Sequence, residues 1–363
     1  MNIAVAQSGG PTCAINASLV GVFSEALKEP SIDAIFGSIN GIEGMIDDHL
    51  IDLKTMIRTN EDMEMLLQTP STVLGSCRYK LKDWHDDDTV YQKIIHCFEQ
   101  RQIGAFFYIG GNDSMDTVLK LSEYVKEKGL NTKIIGIPKT IDNDIYGTDV
   151  TFGFHTAVDI ATDAIDRLHT TANSHSRILL CEIMGNKAGW LTLNAGIAGG
   201  ADIILIPEIP YDIDKVCKSV LKRSESGKNF SIIAVAEGCF DKEEAKLKKK
   251  ERARLRAEAG VITATNRIAA QIQQKTQLEA RVCVPGHMLR GGSPSAYDRI
   301  LATQFGVYAA QLIKEEHYGM TVAKVGGTIT ANPLAEIAGK TKFVTPDDQL
   351  VATARNLGIS FGD

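Results

Sequence analysis

Seven cysteines are scattered along the chain without one CxxC pair, at Cys13, Cys77, Cys97, Cys181, Cys217, Cys239 and Cys283. The odd number and wide spacing suggest neither a zinc ribbon nor a disulfide framework, and reduced thiols fit a cytoplasmic protein best. Long apolar runs are also missing: no window approaches the roughly 20 apolar residues of a membrane span. The opening run Met1 to Ala6 is too short for a signal peptide and lacks its basic leader, so a soluble, cytoplasmic protein with no membrane partner is expected. Positive charge is not in excess. A formal net charge of -6 argues against a general nucleic-acid binder, while leaving room for a local cationic pocket. The first glycine loop has no GxGxxG run and no ribose-binding acid stands out, so a dinucleotide-dependent dehydrogenase fits poorly. Solenoid-like repeats are absent as well.

What is present is ordinary material for a soluble enzyme. With 363 residues, 44% hydrophobic and 23% charged, the chain carries enough apolar residues for two cores. Asn2 to Gln7 reads as a buried strand, followed by the turn Ser8-Gly9-Gly10-Pro11-Thr12 and a helix over Cys13 to Leu27. Ser31 to Ile39 reads as a second strand, and Thr89 to Gln102 as a helix. The strand Ala105 to Ile109 runs into Gly110-Gly111-Asn112-Asp113-Ser114, with a helix from Met115 to Lys126 behind it. Strands follow at Lys133 to Ile137, Arg177 to Ile183, Asp202 to Ile206, Phe230 to Ala236 and Val282 to Val284, with helices at Phe154 to Thr171, Trp190 to Ala198 and Tyr297 to Ile313. This alternation predicts an α/β protein of two Rossmann-like lobes with mostly parallel sheets. Asp241 to Arg256, dense in charge and poor in apolar residues, reads as a solvated helix or mobile flap. Residues after about Thr341 carry weak signals.

Three stretches carry chemistry. Pro138-Lys139-Thr140-Ile141-Asp142-Asn143-Asp144 leaves a strand end with one cation, one hydroxyl and two carboxylates. Open α/β sheets place ligands at such ends, and the loop can set a base against a hydroxyl and a cation against a phosphate. An Asx-rich turn that only caps its own backbone is the bland alternative. The two Gly-Gly loops, each between a strand and a helix N-terminus, point backbone N–H groups at an anion, although many such turns use glycine only for its dihedral freedom. Arg78 after Leu74-Gly75-Ser76-Cys77 is either a surface arginine or a phosphate clamp. Together they describe a site that binds two phosphorylated compounds and moves a phosphoryl group between them, mainly by positioning and charge neutralisation.

With these motifs the chain closely resembles the phosphofructokinase family. Further matches, in the family's order, are Glu182-Ile183-Met184-Gly185, Ile197 to Ala201, Ala236-Glu237-Gly238, and Gly286 to Pro294 with Tyr297-Asp298-Arg299. The resemblance covers residues 1 to about 340. It implies the phosphofructokinase fold with an active site between the lobes: residues 1–153 plus about 289–340 for the phosphoryl donor, and 154–288 plus about 341–363 for fructose 6-phosphate. It also implies Asp142 as the base that takes the C1 hydroxyl proton, with Thr140 and Asp144 holding sugar and donor. Met184, Gly185 and Glu237 match sugar-binding positions, and Arg177, Arg281, His287 and Arg290 match those that grip the 6-phosphate. Arg177 and Arg281 would come from a neighbouring subunit, so a homodimer or homotetramer with shared sites is implied. Gly10 and Arg78 match donor-phosphate positions.

Departures from the family pattern shape the remaining expectations. Asp113 stands where members that use ATP carry glycine, and a carboxylate there would repel the nucleotide's α-phosphate while admitting pyrophosphate. Lys139 would supply a cation to the transferring group. The pair resembles the pyrophosphate-dependent branch, so reversible transfer from pyrophosphate is expected, with an ATP-dependent enzyme as the alternative and a non-catalytic phosphosugar sensor as a remote one. Magnesium is implied as cofactor. Asn112 replaces the usual metal-binding aspartate; an amide is a weaker magnesium ligand, so among the expected metal residues Asn112, Asp113 and Asp144 either Asp113 or Asp144 is expected to carry more of the ion. Asn186 replaces an arginine, and Val20, Ser24 and His169 stand where regulated members carry effector-site arginines, so nucleotide effector control is not expected.

Overall fold

A computed structural model describes residues 1–258, 260, 263–314 and 319–363. The chain folds as two compact units. One comprises Met1–Ile141, Ile145–Thr156 and Arg290–Lys342, the other Asp142–Asp144, Ala157–Leu289 and Phe343–Asp363.

The first unit is built on seven strands: β1 (Asn2–Gln7), β2 (Ile35–Ser38), β3 (Leu50–Asp52), β4 (Ile103–Gly110), β5 (Lys133–Pro138), and, after the chain has passed through the second unit, β10 (Met320–Val325) and β11 (Thr328–Pro333). Their order is β11-β10-β5-β4-β1-β2-β3. The five central strands pair in parallel, and β3 and β11 close the two edges antiparallel. Strands covered on both faces read as near-continuous apolar runs, as Ile103-Gly104-Ala105-Phe106-Phe107-Tyr108-Ile109 does. Phe106 and Tyr108, two residues apart, share one face with ring centroids 5.6 Å apart, and Phe98 packs 5.7 Å from Phe106. The order matters for function. From β1 the chain goes to β2 on one side, and later returns to place β4 on the other side. That reversal opens a crevice beyond the carboxyl ends of β1 and β4.

The second unit carries a four-stranded parallel sheet, β7-β8-β6-β9, formed by β6 (Ile178–Ile183), β7 (Ile203–Leu205), β8 (Ser231–Ala236) and β9 (Ala280–Cys283). Helices Ile213–Glu225 and Ala264–Thr276 cover one face, where Leu180, Val216, Val220, Val235, Ile268 and Ile272 form a continuous core. The two mostly parallel sheets and the alternating helices are the α/β architecture expected.

Several local expectations change. The helix expected from Met115 begins at Asn112 and runs to Glu127. Its first residues are polar because the opening N–H groups of a helix have no intrahelical partner and tolerate side chains that suit loops. The β10–β11 hairpin, β3 and the helix Gln349–Asn356 carried no clear signal in the sequence. The helix Lys249–Glu258 lies in the stretch expected to be a solvated helix or flap, yet one end of it is fastened. Arg256 donates to both Glu244 oxygens at 2.7 Å and to the Cys239 carbonyl at 2.9 Å, and Arg267 reaches Glu244 at 2.6 Å. The Arg252 guanidinium lies 3.9 Å from the centre of the Phe240 ring. A charge-rich sequence was thus partly an ionic knot, with Glu244 only 7% exposed.

Burial alone would push the Glu244 carboxyl up, but hydrogen bonds and positive charge from Arg256 and Arg267 outweigh it, and the group lies below its ordinary 4.5. A carboxyl whose folded value is depressed stabilises the fold fully above its unfolded value and loses that contribution as pH falls through the folded one. Urea unfolding should therefore show stability falling as pH drops below about 4.5, with a shallower fall in Glu244→Gln. At pH 7 the variant should be less stable by about 3 kcal/mol, the order expected when one partner of a buried pair is removed. Identical acid sensitivity in the two proteins would refute the assignment.

Candidate active site

Three loops of the first unit leave carboxyl ends of its parallel strands. Ser8-Gly9-Gly10 follows β1, Gly111 follows β4, and Lys139-Thr140 follows β5. Hydrogen bonds lock them together. The Ser8 amide donates to Ile109 O at 2.8 Å, and the Lys139 amide to Gly110 O at 2.8 Å. The Ser8 and Ser114 hydroxyls, both buried, meet at 2.5 Å and tie the first glycine loop to the start of helix Asn112–Glu127. The segment bearing Arg78 joins the same loop, because the Gly9 amide donates to Cys77 O at 2.9 Å and the Ser76 hydroxyl to Gly9 O at 2.6 Å. Arg78 itself is exposed.

Two cations converge on Gly10. Lys139, 2% exposed, donates its ammonium to the Gly10 carbonyl at 2.6 Å. Arg290, expected among the sugar-phosphate residues, lies in the first unit with its guanidinium against Gly10, so close that a Cβ there would sit 2.8 Å from the Arg290 Cζ. A side chain at Gly10 would push the guanidinium aside. Add the N-terminus of the 16-residue helix that opens at Asn112, and this side of the sheet gathers an ammonium, a guanidinium and the amide groups of a helix start, donor types that suit a phosphate.

Beyond Lys139 the loop turns through Asp142, half-buried, and Asn143 and Asp144, 5% and 7% exposed, which group with the second unit. Asn143 holds φ at 52°. A non-glycine residue in this region persists where its surroundings dictate it, and asparagine tolerates it best. The Thr140 carbonyl is held by the Thr151 hydroxyl at 2.8 Å.

In the second unit the expected sugar residues fall into two groups. Met184 and Gly185 follow β6, Glu237 follows β8 and His287 lies beyond β9, all at the carboxyl end of the sheet. The Gly185 amide, at φ 134°, donates to the Glu237 carboxylate at 3.4 Å, bringing these two together. Arg177 and Arg281 lie at the other end: Arg177 precedes β6 and Arg281 is the second residue of β9, paired in register with Leu179. The six residues of β6 put about 20 Å between the two ends. Both arginines instead meet Glu279, through Arg177 Nε at 2.8 Å and Arg281 Nη2 at 2.5 Å. Glu279, Ser8, Ser76 and Ser114 were not singled out in the sequence. The serines stand inside the quoted motifs, whereas Glu279 has no motif and becomes visible only when two strands pair.

The residues expected to hold magnesium do not build a cage. Asn112 is half-buried at the first helical position, Asp144 is buried, and the Asp113 carboxylate is 78% exposed, 3.3 Å from Lys80 Nζ. Among the described residues no group of three or more His, Cys, Asp or Glu side chains is placed to hold an ion, and no helix is long and apolar enough to cross a membrane.

Comparison with known proteins bears on the donor. The chain is 43% identical over 366 residues to an ATP-dependent 6-phosphofructokinase of Spirochaeta thermophila, covering 99% of this chain and 97% of the relative. It is 38% identical to ATP-dependent 6-phosphofructokinase 3 of Bacteroides thetaiotaomicron, covering both chains completely. The crystal structure of the pyrophosphate-dependent phosphofructokinase from Nitrosospira multiformis superimposes with a TM-score of 0.83, covering 100% of this chain and 92% of that one, at only 26% identity. The expectation of pyrophosphate as donor is thereby overturned: the more similar sequences are named for ATP. Asp113, expected to fill the space of the α-phosphate, is the second residue of the helix that opens at Asn112, and its exposed carboxylate pairs with Lys80 at 3.3 Å. The phosphofructokinase family model matches residues 2–313, and the chain belongs to that family of phosphotransferases with an alcohol group as acceptor.

Proposed function

We propose that the protein is an ATP-dependent 6-phosphofructokinase, which moves the γ-phosphoryl group of ATP to the C1 hydroxyl of fructose 6-phosphate. The observation that carries this reading is the convergence of Lys139, Arg290 and the helix N-terminus at Gly10, in a chain whose relatives are named for ATP. The first unit then handles the donor phosphates, with Gly10, Arg78 and Lys139. The second handles the sugar, with Met184, Gly185, Glu237 and His287. Thr140 and Asp144 flank the reacting groups.

Asp142 takes the proton from the C1 hydroxyl. The C1 oxygen attacks the γ-phosphorus, the bond to the β–γ bridging oxygen breaks, and ADP and fructose 1,6-bisphosphate result. Lys139 and Arg290 neutralise the negative charge on the transferring group, which is where catalysis of phosphoryl transfer chiefly lies. Magnesium, which phosphofructokinases generally use, would supply positive charge to the donor phosphates, with Asn112 and Asp144 as the side chains that would help to hold it. The placement of Arg177 and Arg281 at the far end of their sheet supports a homo-oligomer in which these arginines serve a neighbour's sugar phosphate.

Coupled assays with each donor test the reading: turnover with ATP should exceed that with pyrophosphate at least tenfold, and the reverse order would overturn the donor assignment. Asp142→Asn should lower kcat by roughly 10²–10⁴-fold, as loss of a general base does, with sugar phosphate still bound. Undiminished activity would remove Asp142 from the mechanism. Gly10→Ala should displace the Arg290 guanidinium and lower kcat/KM for ATP by roughly 10²-fold, the effect of a small misplacement of a charged group. Its thermal unfolding should match the parent, and an unaltered kcat/KM would show that Gly10 and Arg290 stand outside the donor site.

A further inference from the structure

Arg177, Glu279 and Arg281 form an arrangement that fold stability does not explain. The three side chains are 31%, 38% and 57% exposed, and ion pairs in such positions contribute little to stability. Their geometry is nonetheless specific. Glu279 immediately precedes β9, and its carbonyl accepts the Ile178 amide at 2.9 Å, which fixes its backbone beside the start of β6. One carboxylate oxygen takes Arg177 Nε at 2.8 Å, and the other takes Arg281 Nη2 at 2.5 Å. Two guanidinium groups that would repel each other are held side by side by the anion between them.

Each guanidinium carries five N–H donors. Arg177 commits only its Nε edge, so among the described residues both of its Nη groups have no hydrogen-bond partner. Arg281 commits Nη2 to Glu279 and makes a long Nη1 contact of 3.4 Å with the Ala280 carbonyl. The triad keeps a net positive charge and directs several N–H groups outward, a pattern that suits a phosphate monoester. Because β6 separates this end from Gly185 and Glu237 by about 20 Å, the phosphate it receives is not that of a sugar resting on the same chain's Glu237.

We propose that Glu279 is a positioning residue for the sugar phosphate: it holds Arg177 and Arg281 as a paired clamp for the 6-phosphate of fructose 6-phosphate bound to a second copy of the chain. This rests on the reading that Arg177 and Arg281 serve a neighbour's sugar phosphate. Glu279 touches no substrate. Fixing two flexible side chains before the ligand arrives reduces the ordering that binding would otherwise require.

Steady-state kinetics on the full-length enzyme test it. Glu279→Gln should raise KM for fructose 6-phosphate on the order of tenfold, leaving kcat, KM for ATP and the thermal midpoint essentially unchanged. Glu279→Asp should recover part of the loss. Arg177→Ala should raise the same KM, and the double variant Arg177→Ala/Glu279→Gln should be less impaired than the two separate effects combined, because they act through one clamp. If Arg177→Ala raises KM while Glu279→Gln does not, the positioning role is overturned and the assignment of the arginines stands. If Arg177→Ala leaves KM unchanged, that assignment falls and the inference with it. A lower thermal midpoint or kcat in Glu279→Gln at constant KM would make the residue merely structural and overturn the proposal.

Discussion

Lys139 keeps its ammonium almost wholly out of solvent, against the carbonyl of Gly10. A buried cation is tolerable only where dipoles or anions meet it, and this requirement orders much of the first unit. It fixes the carbonyl direction of the β1 loop, and with it the amide side that remains for a ligand. It requires β5 to end close to β1 with β4 between them, which the parallel order β5-β4-β1 supplies. It also leaves room at Gly10 for a second cation, Arg290, because the residue has no side chain. Lys139 and Arg290 thus bring two cationic side chains to one peptide.

Much of this was legible in the sequence, for physical reasons. Parallel strands buried on both faces leave uninterrupted apolar runs, and Ile103 to Ile109 or Ile178 to Ile183 are hard to mistake. Glycine pairs just past such runs mark where backbone must approach a ligand or another loop, so Gly9-Gly10 and Gly110-Gly111 stood out. Less visible was whatever depends on direction rather than identity. Asp113 was read as a gate for the donor because of the residue type at that place in a motif. Residue type alone does not reveal a side chain's partner, and the exposed Asp113 carboxylate pairs with Lys80. The same limit explains Glu244, which looks like one more solvated charge in a basic stretch until Arg256 and Arg267 close on it.

The expected sugar residues show a different limit. Sequence order places Arg177, Met184 and Gly185 within nine positions, and proximity in sequence suggests proximity in space. A strand does the opposite: it carries its two ends as far apart as a chain can. Glu237, sixty residues away from Arg177, is nearer to Gly185 than Arg177 is, because parallel neighbours bring like ends together. Glu279 becomes meaningful through the same pairing, since it meets Arg177 only where β6 and β9 lie side by side.

That strand has a consequence for how the protein can change. β6 serves as a ruler with a functional group at each end, and its side chains alternate between faces. Inserting or deleting one residue would swap every side chain to the wrong face and would also shift the Met184–Gly185 turn relative to Arg177. Two-residue changes would preserve the faces but alter the span by about 7 Å. Length in β6 is therefore constrained twice, once by packing and once by the distance between the Met184–Gly185 turn and the Arg177–Glu279 pair. Drift in this lobe is expected to accumulate in loops and helix surfaces while the residue count from Arg177 to Gly185 stays fixed.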